Sequence, residues 1–389
     1  MINSTIYLDH AATSGVRPQS VYEAVDRQIR TVGGAALRGN HRAVGIANQV
    51  ISQCRQVLAR LIHAGDARSI ALTGGCTQSL NFAIHGLLRP GMHVVTTAAE
   101  HNSMLRPLEF LRQRLPIRLT IVPVNKLGQI DVDRLLNAIE PDTQLVAMTL
   151  ASNVSGAVND VGAIGTVLKS TETLLLCDAA QAIGYLPLDV QTLGIDLLAI
   201  PGHKGLLGPL GTGALFAHPR VQSMLTSTMQ GGTGTSSHSL EMPDEFPQKL
   251  EAGNLNVPGF AGLAAGVEHL LQHGLNEPQL QVRTRRLLLG LADFPSIRVH
   301  GPVDANSVDH RRGPVISVTI KGWSPHDVAA VLDAEFGIQV RAGLHCAPLI
   351  HEAIGSYPLG TVRISLGHFT TATDIDALLS ALHKLVNPN

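Results

Sequence analysis

The chain is predicted to be an α/β protein with a large unit built on a mostly parallel central sheet, followed by a smaller α+β unit. Three observations carry this. Apolar runs of strand length alternate with helically spaced apolar residues through the middle of the sequence. Several of those runs are apolar throughout, as strands covered on both faces require. Beyond about residue 260 the pattern changes to short strands separated by isolated helices.

The elements follow in order. Ala47, Val50, Ile51, Cys54, Val57, Leu58 and Leu61 recur at helical spacing, and so do Leu80, Ala83, Ile84, Leu87 and Leu88. Strand candidates are residues 92–97, 118–124, 144–150, 173–178, 196–200 and 212–217. The stretch 231–239, rich in Gly, Ser and Thr, reads as a flexible polar loop. In the tail, strands are expected at 315–320, 338–341 and 362–366, with helices at 325–335 and 348–354. A last helix carries Ile375, Leu378, Leu379, Leu382 and Val386. These elements place the large unit at 15–258 and the small one at 1–14 with 259–389.

Bulk properties narrow the function classes. The 389 residues include 29 basic and 30 acidic side chains, for a net charge of −1. That balance supplies no electrostatic case for nucleic acid or an anionic membrane. The N-terminus has no basic stretch leading into an apolar one, and no long apolar run follows. The four cysteines, Cys54, Cys76, Cys177 and Cys346, are scattered, which argues against a disulfide framework and suits a reducing cytoplasm. The 18 histidines include no HExxH motif, so no metal site is expected.

The chemistry gathers at strand ends. Ligands of parallel α/β sheets bind beyond the carboxyl ends of the strands. His101, Asn153, Asp178 and Lys204 each fall at or just after such an end. Lys204 closes Pro201-Gly202-His203-Lys204, directly after an apolar run, and a desolvated lysine becomes a nucleophile toward carbonyls. Thr73-Gly74-Gly75-Cys76-Thr77 precedes a helix expected to begin near Gln78, where exposed N–H groups and the helix dipole favour an anion. The glycines of 205–213 lead into a strand, so they read as a turn and not as a nucleotide fingerprint. A phosphate cradle, a buried carboxylate and an amine together describe a site for pyridoxal 5'-phosphate (PLP). Lys204 is then the Schiff-base amine, Asp178 the partner of the pyridinium nitrogen, Gln181 a donor to the ring oxygen, and His101 a ring stacked on the cofactor.

The sequence resembles class V aminotransferase-fold enzymes, and among them the cysteine desulfurases of the short-loop, group II-like kind. The motifs run end to end and in order. They are Tyr7-Leu8-Asp9-His10-Ala11-Ala12-Thr13, Arg38-Gly39-Asn40-His41, Glu100-His101-Asn102-Ser103, Ser152-Asn153-Val154 with Gly156, and Asp178-Ala179-Ala180-Gln181. Gly202-His203-Lys204, Glu251-Ala252-Gly253-Asn254, Arg341-Ala342-Gly343-Leu344-His345-Cys346 and Val362-Arg363 with Ser365-Leu366 complete the set. The resemblance implies PLP-dependent transferase fold type I and desulfuration of L-cysteine to L-alanine, with a persulfide formed on Cys346. It implies catalytic roles for Lys204, Cys346, His101 and His41. It implies cofactor contacts from Gly75, Cys76, Thr77, His101, Asn153, Asp178, Gln181, His203, Lys204 and Asn254, and substrate contacts from Ala11, Asn153 and Arg363. A bidentate guanidinium suits the substrate carboxylate. His345 or His41 is a candidate to deprotonate a thiol, since only the thiolate attacks. The resemblance also implies a homodimer, a sulfur-acceptor protein, and L-cysteine or L-selenocysteine as substrate.

Several positions depart from the family pattern. His10 stands for an asparagine, Cys76 for a hydroxyl residue, Pro201 for a serine or threonine, Asn254 for a threonine, and Leu344 for a more polar residue. Pro201 lacks both a hydroxyl and an N–H, so weaker PLP retention than in typical relatives is expected. The alternatives these departures leave are a selenocysteine lyase, a C–S lyase, an aminotransferase, or a weakly active PLP-binding sulfur-relay partner.

Overall fold

The computed structural model describes residues 5–274, 278–304 and 312–387; residues 1–4, 275–277, 305–311 and 388–389, all within the expected small unit, lie outside the description. In chain order the strands are β1 (Ile6–Tyr7), β2 (Ile70–Thr73), β3 (His93–Thr97), β4 (Arg118–Val122), β5 (Thr143–Thr149) and β6 (Leu174–Asp178). Then come β7 (Leu197–Pro201), β8 (Gly213–Ala217), β9 (Ile297–His300), β10 (Val315–Ile320), β11 (Ile338–Gln339), β12 (Arg341–Gly343) and β13 (Thr361–Ser365).

Seven strands form one sheet in the order β2-β8-β7-β6-β5-β3-β4. The run from β7 to β4 is parallel, and β8 is antiparallel to both its neighbours. Each expected strand of the middle region is present within a few residues. Side-chain alternation splits the sheet into two cores. Leu72, Val95, Val146, Leu175, Cys177, Leu198 and Phe216 enter one of them. Ala71, Val94, Leu145, Leu176, Leu197, Ala199 and Leu215 enter the other. Every residue of β3, β6, β7 and β8 is buried, which explains runs without polar alternation. Each fully buried leucine contributes roughly 1.5–3 kcal/mol from apolar area.

Helices Cys76–Leu87 and Asn102–Arg112 cover the second face, and Arg42–Leu61, Val161–Leu168 and Val257–His273 the first. Ala47, Ile51, Cys54, Val57, Leu58 and Leu61 of Arg42–Leu61 are all buried, as their spacing predicts. The expected boundary at 258 falls inside Val257–His273, whose Phe260, Leu263, Val267 and Leu270 pack in the large sheet's core. By packing, the change of core comes after residue 273.

The tail forms a four-stranded antiparallel sheet in the order β12-β13-β10-β9. Its core includes Leu288, Ile316, Val318, Ile364, Ile375 and Leu382, and the N-terminal Leu8 joins it. β1 pairs in parallel with β11, and Ser365 N donates to the Leu8 carbonyl. The N-terminal stretch is thus sewn to the tail while the residues just after it reach the large sheet: Ser14 N donates to His203 O. The strand expected at 338–341 is two strands, β11 and β12, in different sheets. Among the described residues no helix is long and apolar enough to cross a membrane.

Candidate active site

The carboxyl ends of β3, β5, β6 and β7 open on a cavity of about 610 Å³. Gly75, Cys76, Thr77, His101, Asn153, Asp178, Gln181, His203 and Lys204 line it, so nine of the expected site residues meet there. That volume lies within the range of small-ligand and cofactor sites.

Each wall has a local cause. Helix Cys76–Leu87 starts at Gly75, whose φ of 147° suits glycine. The start is pressed on β8: a Cβ at Gly213 would come within 2.6 Å of Gly75 Cα. The helix therefore begins two residues before Gln78 and presents its first N–H groups to the cavity. Asp178 ends β6 and is almost wholly buried. Its Oδ1 accepts from Ala180 N at 2.8 Å and from Cys76 Sγ at 3.2 Å. Among the described residues no donor bonds Oδ2. Lys204 follows a tight turn, in which a Cβ at Gly202 would meet Thr212 Oγ1 at 2.2 Å. Burial holds the Lys204 amine below the usual lysine range, with Arg363 and Arg341 pushing the same way and the Asp178 charge opposing them. No described residue bonds Lys204 Nζ.

His101 caps helix Asn102–Arg112: its Nδ1 accepts from Ser103 N at 3.0 Å and meets Ser103 Oγ at 2.8 Å. Burial pushes it down to about 4, so it is a neutral ring at neutral pH. His203 is likewise pushed down to about 4 by burial and the Lys204 charge, and its buried Nδ1 has no partner. Gln181 donates Nε2–H to the Ala11 carbonyl at 3.0 Å, which places Ala11 beside the cavity.

These features fit PLP. A carboxylate oxygen without a donor, an amine without a partner, and a buried ring nitrogen beside a helix N-terminus are groups waiting for a pyridinium, an aldehyde and a phosphate. Cys76 differs from its expected place in a phosphate cradle: its thiol turns to Asp178.

Arg363 does not line the wall. It is buried, donates to Asn153 O at 3.3 Å and to Asp9 Oδ1 at 2.7 Å, and its Nε is unpartnered. Cys346 is exposed and lies on an outer cavity of about 460 Å³. Thr77, Asn81, His101 and Ser103 line both cavities, so the two adjoin across these side chains. Arg341 Nη2 approaches Cys346 Sγ at 3.7 Å. His345 is turned away from that role: it is buried, and its Nε2 is held by Thr361 O and Oγ1 at 3.2 and 3.0 Å. Burial and nearby Arg363 hold the ring far below the usual histidine range.

His41 and Asn254 are exposed and do not line either cavity. They lie at a corner where Arg38 Nη2 donates to Gly232 O and Gly253 O, and Gly253 N donates to Gly232 O. Two residues beside the site were quoted in motifs without a role. Arg341 stands five positions before Cys346, and Glu100 is buried at the end of β3 with Oε1 accepting from Thr97 Oγ1 and Thr149 N. An acid directly before His101 was the available signal for the second.

The aminotransferase class-V family model matches residues 6–378. A probable cysteine desulfurase of Methanothermobacter thermautotrophicus is 33% identical, covering 99% of this chain and 96% of the relative. A cysteine desulfurase of Yersinia pestis is 31% identical, covering 98% and 93%. Among solved structures, the apo cysteine desulfurase of Thermococcus onnurineus superposes with a TM-score of 0.91 at 31% identity, covering 99% of this chain and 95% of that one. A cysteine desulfurase of Escherichia coli in an S-sulfonic acid form gives 0.84 at 30% identity, covering 98% and 94%.

Proposed function

The chain belongs to the aminotransferase class-V family, and we infer that it is a cysteine desulfurase, releasing L-alanine from L-cysteine and keeping the sulfur. The observation that carries this reading is that the cavity of Cys346 adjoins the cavity of Lys204 and Asp178, with Thr77, Asn81, His101 and Ser103 lining both. An amine and a carboxylate alone suit many PLP reactions; a thiol on the adjoining cavity suits sulfur transfer.

PLP occupies the inner cavity in this reading. When bound there it supplies an electrophilic carbon and draws electrons from the bond between the substrate's Cα and its hydrogen. Lys204 would hold it through its amine, and the same amine is the base at the substrate Cα. Asp178 Oδ2 takes the ring N–H. Thr77, the His203 Nδ1 and the first N–H groups of helix Cys76–Leu87 take the phosphate. His101, neutral, covers the ring face, while Gln181 and Asn153 donate to polar atoms of cofactor and substrate. Arg363 receives the substrate carboxylate, sharing its guanidinium with Asp9. Cys346, as thiolate, attacks the substrate sulfur: an S–S bond forms, the C–S bond breaks, and the carbon is reprotonated to give alanine. Arg341 Nη2 is the charged donor nearest that Sγ, at 3.7 Å.

In this reading the protein is a homodimer, and His41 and Asn254, exposed and away from both cavities of their own chain, reach the site of a partner copy. A sulfur-acceptor protein takes the persulfide from exposed Cys346. Four free cysteines suit the cytoplasm.

The test is incubation with L-cysteine and PLP, measuring alanine and protein-bound persulfide. Wild type should form both in step. Lys204→Ala should form neither, and Cys346→Ser should bind PLP but carry no persulfide. Unchanged sulfur release from Cys346→Ser would refute the reading.

A further inference from the structure

We propose that Cys76 is a positioning residue that fixes the Asp178 carboxylate, its S–H donating to Oδ1 so that Oδ2 alone faces the cavity. The inference rests on the reading of this cavity as a PLP site and adds a role for a thiol that replaces the family's hydroxyl residue.

The geometry is over-determined. Cys76 is the first residue of helix Cys76–Leu87, and that start is pinned between Gly75 and Gly213. The Cys76 side chain therefore points where the helix start sends it, and it meets Asp178 Oδ1 at 3.2 Å. Ala180 N, two residues on from Asp178, reaches the same oxygen at 2.8 Å. Two donors on one oxygen lock the carboxylate's rotation. The thiol keeps its proton: burial and the Asp178 charge hold it well above the usual range. Charged or titratable groups that feel Asp178 are Lys204, His101, Glu100 and Cys177, and none of them bonds its carboxylate oxygens.

A thiol is a weaker donor than a hydroxyl. It orients the carboxylate while withdrawing little of its negative charge. Asp178 so held remains a strong acceptor for a pyridinium N–H, which keeps that proton on the ring. A hydroxyl in the same place would drain more charge from Oδ1 and loosen that hold. The departure at Cys76 is thus a way of strengthening the acid–base pair at the ring nitrogen, and it works against the loss of contacts at Pro201.

The experiment compares wild type, Cys76→Ala and Cys76→Ser as full chains. The first arm needs no PLP: infrared absorption in the S–H stretching region. A thiol donating to a carboxylate absorbs at lower frequency than an unbonded one, so Cys76→Ala should remove the lowest-frequency component. Removal of only an unshifted component overturns the proposal. The second arm loads all three proteins with PLP and follows its visible lysine-bound band through a pH titration and its loss on dilution. Cys76→Ala should lose PLP about fivefold faster, as expected for the loss of one hydrogen bond of ordinary strength from a weak donor. Cys76→Ser should retain PLP and shift the titration of the band from the wild-type midpoint. Identical titrations and retention in all three overturn the proposal, because a residue that merely fills space would leave the midpoint unmoved. If wild type forms no lysine-bound band, the PLP reading fails, and the infrared arm still decides the contact by itself.

Discussion

Replacing Glu100 with Gln should change how stability depends on pH. Glu100 is wholly buried; its Oε1 accepts from Thr97 Oγ1 at 2.6 Å and Thr149 N at 3.0 Å, and its Oε2 has no partner. Burial pushes the carboxyl up to about 8 against the two hydrogen bonds that lower it, with the Asp178 charge adding to the rise. Unfolded, the group returns to roughly 4.3. The folded value is the higher one, so its contribution is complete below the unfolded value and is lost as pH climbs through the folded value. Between the two, each pH unit removes about 1.4 kcal/mol, and the loss levels off above about pH 8. From about pH 6 to about pH 9 this comes to roughly 2.5 kcal/mol. Gln does not titrate and keeps an acceptor oxygen for Thr97 and Thr149. The assay is urea unfolding of both full chains at both pH values with PLP saturating. The stability difference between variant and wild type should move toward the variant by about 2 kcal/mol across that range. Parallel pH dependences in the two proteins would refute the burial argument.

Other perturbations have equally direct readouts. Gly202→Ala places a Cβ 2.2 Å from Thr212 Oγ1 and should displace Lys204, lowering stability by about 1–3 kcal/mol and PLP occupancy with it, read by thermal melting and visible absorbance. Asp9→Asn removes the anionic partner of buried Arg363; it should destabilise the free enzyme by about 2 kcal/mol, less than a fully buried pair would because Asp9 is partly exposed, and raise the KM for cysteine. Pro201→Ser restores a hydroxyl and an N–H at the cavity wall and should tighten PLP binding roughly tenfold in an absorbance titration. Cys54→Ser puts a hydroxyl into the apolar core beside Leu58 and should cost about 1–3 kcal/mol while leaving persulfide formation per folded molecule unchanged.

Much of the central sheet was legible because β5 to β8 are buried on both faces and carry largely apolar runs. Two strands of four residues were missed. β2 is four residues between a short helical turn and the glycines of the next loop, and β9 has an exposed arginine, Arg298, within four residues. The site residues at strand ends were legible for the same reason as the strands: Asp178 and Lys204 are polar groups directly after apolar ones. What the sequence could not show is direction. Cys76 reads as one more small residue of a cradle, yet the helix start aims its thiol at Asp178. His345 reads as a base beside a nucleophile, yet a left-handed backbone at φ 50° sends its ring into the small sheet, to Thr361. The acid Asp196, read as the first residue of a strand, instead precedes β7 and is a buried partner of Arg220 and of Leu175 N.

The placement of Cys346 follows from which elements are rigid. Asp178 ends β6 and Lys204 follows the turn directly after the adjacent β7, so the ladder between these strands brings the two to one sheet edge. The nucleophile comes from the other sheet, through a turn in which His345 and Cys346 both adopt positive φ, 50° and 58°. Such conformations cost of order 1–3 kcal/mol each for residues with side chains, so something must hold them. The holding groups belong to the large sheet: Asn153 Nδ2 donates to His345 O at 2.8 Å, and Asn102 N donates to Cys346 O at 2.7 Å. Asn153 and Asn102 follow β5 and β3, the strands whose ends form the cavity. The thiol is therefore registered to the inner cavity by backbone carbonyls on either side of its own Cα, while its Sγ stays exposed. That combination gives a thiol held in place on the outer cavity whose Sγ stays accessible.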